Sequence, residues 1–212
     1  MVAGLLPDLI TTNFTGITGT CQSGIYLFLF IIIFLENGLP PMIWLPGDSL
    51  LFLTGLLAAG GVFDLPTLLI MYSLGAFIGY ELNYILGLRI GLPLVTRHFF
   101  RIVTVKHLLR SEDFYNRWGN AAITIGRFIP VIRTITPLLA GISRMNISRF
   151  TAYNILGAML WPVTVCGTGY LFGILPWLSE YQDILFNLVS LLFIGSIVIS
   201  GTLVILSVMR TR

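Results

Sequence analysis

Glu36, Asp48, Arg127 and Arg133 are charges embedded in apolar sequence, two of each sign, carried by two proline-interrupted stretches. The first, FLENGLPPMIWLPGDSLLFLTG, has Glu36 and Asp48 as its only charges, and the second, GRFIPVIRTITPLLAG, has Arg127 and Arg133. A charge at the bilayer centre costs about 2.5–3.5 kcal/mol on insertion scales, so such residues face a bundle interior or a wet cavity. Arginine presents a planar fork of donors that matches phosphate or carboxylate bidentately. Paired arginines with acids nearby suit an anionic group that binds when the acids are protonated or displaced. The plainer reading puts the acids at helix ends on the membrane surface and lets the arginines snorkel to the headgroups. Arg127 and Arg133 lie on either side of Pro130, so one straight helix face cannot carry both, whereas a broken hairpin could turn both toward one cavity. Glu81 is either a third coupling acid or a surface residue at the cytoplasmic end pairing with Arg89.

Composition dictates the setting of these charges. The chain of 212 residues is 56% hydrophobic and 10% charged, with a mean hydropathy of +0.93; soluble domains average about 25% charged residues. Uncharged runs at 9–35, 150–179 and 184–209 exceed the roughly 20 residues needed to span hydrocarbon. A fourth run, 65–80, becomes long enough if it continues past Glu81 to Gly87. This predicts an all-α, multi-pass integral membrane protein forming a single membrane domain. The N-terminal residues carry no Lys or Arg before their apolar run, so the sequence lacks the basic start of a signal peptide and is expected to be retained. Cys21 and Cys166 have neither C-x-x-C spacing nor an accompanying His cluster, and read as buried thiols. No metal or cofactor is implied. The net charge of +3 reflects membrane orientation and not nucleic-acid binding.

The basic residues set an expected topology. Arg89, Arg97, Arg101, Lys106, Arg110 and Arg117 crowd one segment, Arg144 and Arg149 follow the second broken stretch, and Arg210 and Arg212 end the chain. The turns near 61–66 and 175–183 carry only acids. By the positive-inside rule, the loop 89–117, the turn 143–149 and the C-terminus are cytoplasmic. Residues 118–142 then enter and return on the same side. Breaks at Pro130 and Pro137 suit such a re-entrant hairpin, and Pro40 and Pro46 give the first stretch, about 24–60, the same plan turned over. Helices are expected at about 66–88, 150–174 and 184–208. Hairpin followed by helix, twice and from opposite sides, is the pattern of an inverted repeat with a midplane site. Gly75/Gly79, Gly87/Gly91 and Gly169/Gly173 have the spacing of close helix packing, within the monomer or across a homodimer. KHLLRSEDFYNRWG reads as a cytoplasmic amphipathic helix anchored at the membrane surface.

Other chemistry finds little footing. Gly47-Asp48-Ser49-Leu50 spells a hydrolase string, but a serine nucleophile needs a base within reach. The two histidines, His98 and His107, fall in the basic loop on the opposite face of this topology, and read as solvated loop residues. No H-E-x-x-H, P-loop or G-x-S-x-G string occurs, so proteolysis and ATP-driven pumping are unsupported and the chain is not expected to be an enzyme.

At these same positions the chain resembles the DedA (SNARE-associated, VTT-domain) family of bacterial inner-membrane proteins. The resemblance rests on Phe34-Leu35-Glu36-Asn37-Gly38-Leu39, on Leu45-Pro46-Gly47-Asp48-Ser49-Leu50-Leu51, and on Gly126-Arg127-Phe128-Ile129-Pro130-Val131-Ile132-Arg133-Thr134. Pro137, Ala140-Gly141, Met145, Phe150, Asn154, Gly157, Trp161 and Gly169-Tyr170-Leu171-Phe172-Gly173 continue it. It implies two facing re-entrant hairpins and proton-coupled translocation of lipid-linked phosphates, undecaprenyl phosphate foremost and phospholipid in other branches. It also implies that Glu36, Asp48, Arg127 and Arg133 are the functional charges. One departure stands out: many members carry an acid directly after the glycine matched by Gly79 and a base directly after that matched by Gly87. Tyr80 and Leu88 occupy those places, with Glu81 and Arg89 one residue later, a rotation of about 100° around a helix.

The function expected is therefore translocation of an anionic lipid, with Arg127 and Arg133 binding phosphate and Glu36 and Asp48 neutralising the arginines and taking up protons. A proton/cation antiporter, with the acids binding the ion, is the second reading. A structural membrane protein, indifferent to neutralising all four charges, is the third.

Overall fold

The computed structural model describes residues 20–39, 46–96 and 117–175, together with residue 191. Among the described residues every regular element is helical. In chain order they are α1 (Thr20–Gly38), α2 (Gly47–Ala59), α3 (Leu65–Thr96), a 3₁₀ turn (Gly119–Ala121), α4 (Ala122–Ile125), a second 3₁₀ turn (Gly126–Phe128), α5 (Pro130–Ile142) and α6 (Ile147–Ile174). Among the described residues two stretches are long and apolar enough to cross a membrane, Leu65–Arg89 and Ile147–Ile174. The expected span at 184–208, the loop residues 97–116 with most of the amphipathic helix, the break at Pro40 and the N-terminal residues lie outside the described residues.

Local chemistry sets the helix boundaries. Asp64 caps α3: its Oδ2 accepts from the Thr67 backbone N–H at 2.9 Å and from the Thr67 hydroxyl at 2.6 Å. Its own N–H donates to the Tyr26 hydroxyl at 2.9 Å, tying the cap to α1. Asn146 caps α6, accepting from the N–H groups of Ser148 and Arg149. Gly61, at φ +78°, supplies the left-handed turn between α2 and α3 without a Cβ penalty. Pro46 precedes α2 and Pro130 opens α5, the positions where a missing N–H costs nothing.

The bonds from Thr67 hold the exposed Asp64 carboxylate below its usual pKa. A depressed folded-state pKa contributes stability above the unfolded value and loses it as pH falls through the folded one. The wild type should therefore lose thermal stability relative to Asp64→Asn when acidified below about pH 4, measured by unfolding in detergent across an acid series. Parallel pH curves for the two proteins would contradict the cap.

Two boundaries differ from the sequence reading. Pro137 does not break the second stretch: α5 runs unbroken through it from Pro130 to Ile142. The interruption falls one step earlier, at Ile129, whose φ of −115° and ψ of 108° are extended because it precedes a proline. An interior proline removes one ladder bond, and in apolar helices the surrounding packing tolerates that loss; Pro162 sits inside α6 in the same way. The loop read as starting at residue 89 also gives way to helix as far as Thr96, since residues 90–96 are uncharged and continue the apolar run of α3.

Glycines make the seams between helices. On the α1–α3 seam, a Cβ at Gly75 would sit 3.1 Å from the Phe30 carbonyl, and one at Gly79 would sit 2.9 Å from the Phe34 carbonyl. Gly55 of α2 abuts the Cys166 carbonyl of α6, and Gly169 of α6 abuts the Phe52 carbonyl of α2. Gly141 of α5 abuts the Tyr84 carbonyl of α3, and Gly87 of α3 abuts the Leu138 carbonyl of α5. Backbones approach this closely only where side chains are absent. Of the paired glycines, Gly75, Gly79, Gly87, Gly169 and Gly173 all face another helix of the same chain. Outward, α3 presents Ile70, Leu74, Ile78 and Ile85, and α6 presents Leu156, Met159, Leu160 and Val163. Such apolar faces suit contact with hydrocarbon.

Candidate functional site

The two interrupted stretches meet. Arg133, one turn into α5, is 3% exposed and reaches across to both acids. Its Nη2 pairs with Glu36 Oε1, and its Nη1 donates to Asp48 Oδ1 at 2.9 Å. Glu36, near the end of α1, is fully buried, while the Asp48 side chain, at the start of α2, is 44% exposed. The Gly47 N–H donates to Glu36 Oε1 at 3.3 Å. The Trp161 indole N–H donates to Asp48 Oδ1 at 2.8 Å, and its ring lies 5.2 Å from the Arg133 guanidinium carbon. Both acids thus converge on one arginine.

Arg127 occupies a different environment. It is 1% exposed, and its guanidinium stacks 3.6 Å from the centroid of the Tyr80 ring. Its Nη2 donates to the Ala76 carbonyl at 3.2 Å and to Asn154 Oδ1. Among the described residues it makes no direct ion pair. Glu81 does not pair with Arg89: it accepts from Asn154 Nδ2 and from the Thr151 hydroxyl, both at 3.0 Å. The one-residue displacement of the acid along α3 therefore still leaves it facing α6.

The interruptions in the backbone are bridged by a side chain of α3. Asn83, fully buried, donates through Nδ2 to the Asn37 carbonyl at 3.2 Å and to the Thr134 carbonyl at 2.9 Å. It thereby links the end of α1 to the first turns of α5, where Glu36 and Arg133 lie. Asn37 is among the last residues of α1, so its carbonyl lacks the next turn to bond with. Of the expected breaks, Pro46 and Pro130 adjoin the charged cluster, Pro137 sits within helix, and Pro40 is outside the described residues.

Several site residues were not singled out for a role by sequence reasoning. In sequence, Gly47, Asn154, Gly157 and Trp161 stand out only as positions of the family resemblance, Tyr80 only as the residue in place of an acid, and Asn83 lies unremarked in the apolar run of α3. The available signal was polarity: a buried amide in an apolar helix needs a partner just as a charge does. Among the described residues no cluster of His, Cys, Asp and Glu could hold a metal ion.

Membrane-length apolar helices, with an ion-pair cluster that is buried at Glu36 and Arg133 and open only at Asp48, define an integral membrane protein built around a polar core. The VTT domain model matches residues 45–171. Inner membrane protein YqjA of Escherichia coli K12 is 33% identical over 209 residues, covering 97% of this chain and 95% of the relative. Protein DedA of the same organism is 36% identical over 178 residues, covering 83% and 78%, and inner membrane protein YghB is 38% identical over 162 residues, covering 76% and 74%. The chain belongs to the VTT-domain (DedA) family. The names of YqjA and YghB support a bacterial inner-membrane location. No solved structure matches the chain.

Proposed function

We propose that this protein is a transporter, and not an enzyme, that carries a lipid-linked phosphate across the inner membrane in exchange with protons. Undecaprenyl phosphate is the leading substrate and an anionic phospholipid the next. The observation that carries this reading is the Arg133 fork held between Glu36 and Asp48. With both acids ionised, the fork is occupied by carboxylate oxygens. Protonation of the acids frees its donors for phosphate oxygens, which have the same bidentate geometry. Arg127, whose Nε and Nη1 have no hydrogen-bond partner among the described residues, supplies the second positive charge. Proton uptake and anion binding are then two sides of one exchange.

The architecture that serves this cycle is a single membrane domain of two re-entrant hairpins, α1–α2 and α4–α5, related as an inverted repeat. The glycine seams support it by recurring in matched pairs. Gly55 on Cys166 corresponds to Gly141 on Tyr84, and Gly169 on Phe52 to Gly87 on Leu138. The buried positions of α3 and α6 match in register, Tyr72 with Asn154, Gly75 with Gly157, Ala76 with Ala158 and Tyr84 with Cys166. The two helices run in opposite directions, since Asn154 meets Phe77 while Thr151, earlier in α6, meets Glu81, later in α3. Rocking of one hairpin-and-helix unit against the other would alternate access to the cluster. In this reading the basic segment 89–117 and the C-terminus face the cytoplasm.

The experiment is reconstitution of the purified chain in vesicles with a fluorescent polyprenyl phosphate and an imposed pH gradient. Translocation of the probe that rises with the gradient and disappears in Glu36→Gln/Asp48→Asn is the expected result; a wild type that moves neither prenyl phosphate nor phospholipid under any gradient sinks the reading. The charge count gives a proton/cation antiporter some footing, because Glu36, Asp48 and Glu81 outnumber Arg127 and Arg133. The same vesicles carrying a pH dye separate the two, as an antiporter would acidify or alkalinise on addition of sodium or potassium without any lipid probe.

A further inference from the structure

The second arginine has an arm of its own that the exchange at Arg133 does not use. Arg127 Nη2 donates to Asn154 Oδ1. Asn154 Nδ2 in turn donates to Glu81 Oε1 at 3.0 Å and to the Phe77 carbonyl at 3.1 Å. The amide has one usable orientation. Turned over, its NH₂ would confront the NH₂ of the guanidinium, and its oxygen would confront a carboxylate and a carbonyl. Asn154 is fully buried, so water cannot replace a lost bond. Arg127 is thereby fixed by three contacts that do not depend on a direct carboxylate: the Tyr80 ring, the Ala76 carbonyl and this amide.

We propose that Asn154 is a positioning residue for Arg127, and that Glu81, acting through it, is the counter-charge of Arg127 as Glu36 and Asp48 are of Arg133. The site then has two arms of different construction. On one, the carboxylates touch the guanidinium directly and must leave before an anion can take their place. On the other, the carboxylate stands one amide away and balances the charge without occupying the fork. The arrangement keeps Arg127 oriented and its remaining donors uncommitted while Arg133 is still blocked. What Arg127 is oriented toward rests on the transport reading above.

The test relocates the charge by one link. In Glu81→Gln/Asn154→Asp the new carboxylate at position 154 accepts from Arg127 directly. The new amide at position 81 donates to that carboxylate and still accepts from the Thr151 hydroxyl. The full-length protein is reconstituted in phosphatidylglycerol-containing vesicles with a fluorescent polyprenyl phosphate as probe, and initial rates are taken over a range of probe densities. Size-exclusion elution of each variant establishes that it is folded. Asn154→Asp, which sets two carboxylates side by side and loses the donor to Glu81 and to the Phe77 carbonyl, should raise the apparent KM by about tenfold or more. Glu81→Gln, whose amide oxygen still accepts both bonds, removes the counter-charge alone and should raise it less. The double variant should recover part of the loss and be clearly better than Asn154→Asp, short of wild type because the Phe77 carbonyl has lost its donor. Such a coupling is expected only of groups in contact. Asn154→Leu, which has neither donor nor acceptor, should be equally impaired with or without Glu81→Gln. An active wild type with a double variant no better than the worse single overturns the proposal alone. A wild type that moves no probe overturns the transport reading and the proposal together.

Discussion

Arg133→Ala should destabilise the protein by about 3–5 kcal/mol, the usual consequence of removing one partner from a buried pair, and abolish transport. The substitution leaves Glu36 fully buried and facing Asp48 with no cation between them. Removing the acid at the same time should be gentler than removing the arginine alone. In Arg133→Gln/Glu36→Gln two neutral amides replace the pair, while Asp48, 44% exposed and bonded to Trp161, keeps access to water. The double variant should therefore recover more than half of the lost stability while remaining inactive. Thermal and denaturant unfolding of the detergent-purified protein checks the first statement, and vesicle flux checks the second. A double variant less stable than Arg133→Ala would show that the cluster is held by packing and not by charge balance.

Gly47→Ala should produce the next largest effect. A methyl group at position 47 would overlap the Glu36 carboxylate, whose Oε1 accepts from the Gly47 N–H. Helix α2 starts at that residue, so the backbone cannot yield without dragging Asp48 along with it. Overpacking of this kind costs about 1–3 kcal/mol, and displacing the acid should disable transport as thoroughly as removing it. Gly157→Ala is the milder counterpart. Its methyl would lie 2.9 Å from Cδ and Nε of Arg127, a side chain with more freedom to move aside. Gly24→Ala and Gly167→Ala, with open space around their Cα atoms, serve as controls and should stay within about 0.5 kcal/mol of wild type. Equal tolerance at 47 and 24 would refute the overlap.

The charges were the readable part of the site because a membrane leaves so few reasons to keep them. Glu36, Asp48 and Arg133 meet in one cluster, and the apolar runs at 65–87 and 150–174 fall within α3 and α6. The residues that distinguish one arginine from the other were not readable in the same way. Asn154 and Trp161 act through the direction of a single N–H or C=O, and composition and spacing carry no record of direction. Pro137 was over-read: proline shows where a ladder bond is missing, but whether the helix stops there depends on neighbours that the local sequence does not name. Glycine spacing identified close approach. Gly47 and Gly157 lie in no such spacing, and nothing in the local sequence reveals that the group approaching each is a charged side chain.

Glu36 and Arg133 are 97 residues apart in the chain, which has a consequence for biogenesis. Synthesis at about 5–20 residues per second brings the arginine out on the order of 5–20 s after the acid. Throughout that interval the α1–α2 segment has its carboxyl group but not its partner. An unpaired charge in hydrocarbon is costly, so the α1–α2 segment gains a counter-charge for Glu36 only when Arg133 is made. The ion pair thus fixes an order of assembly, with the cluster completed only when α5, and then Trp161 of α6, are in place.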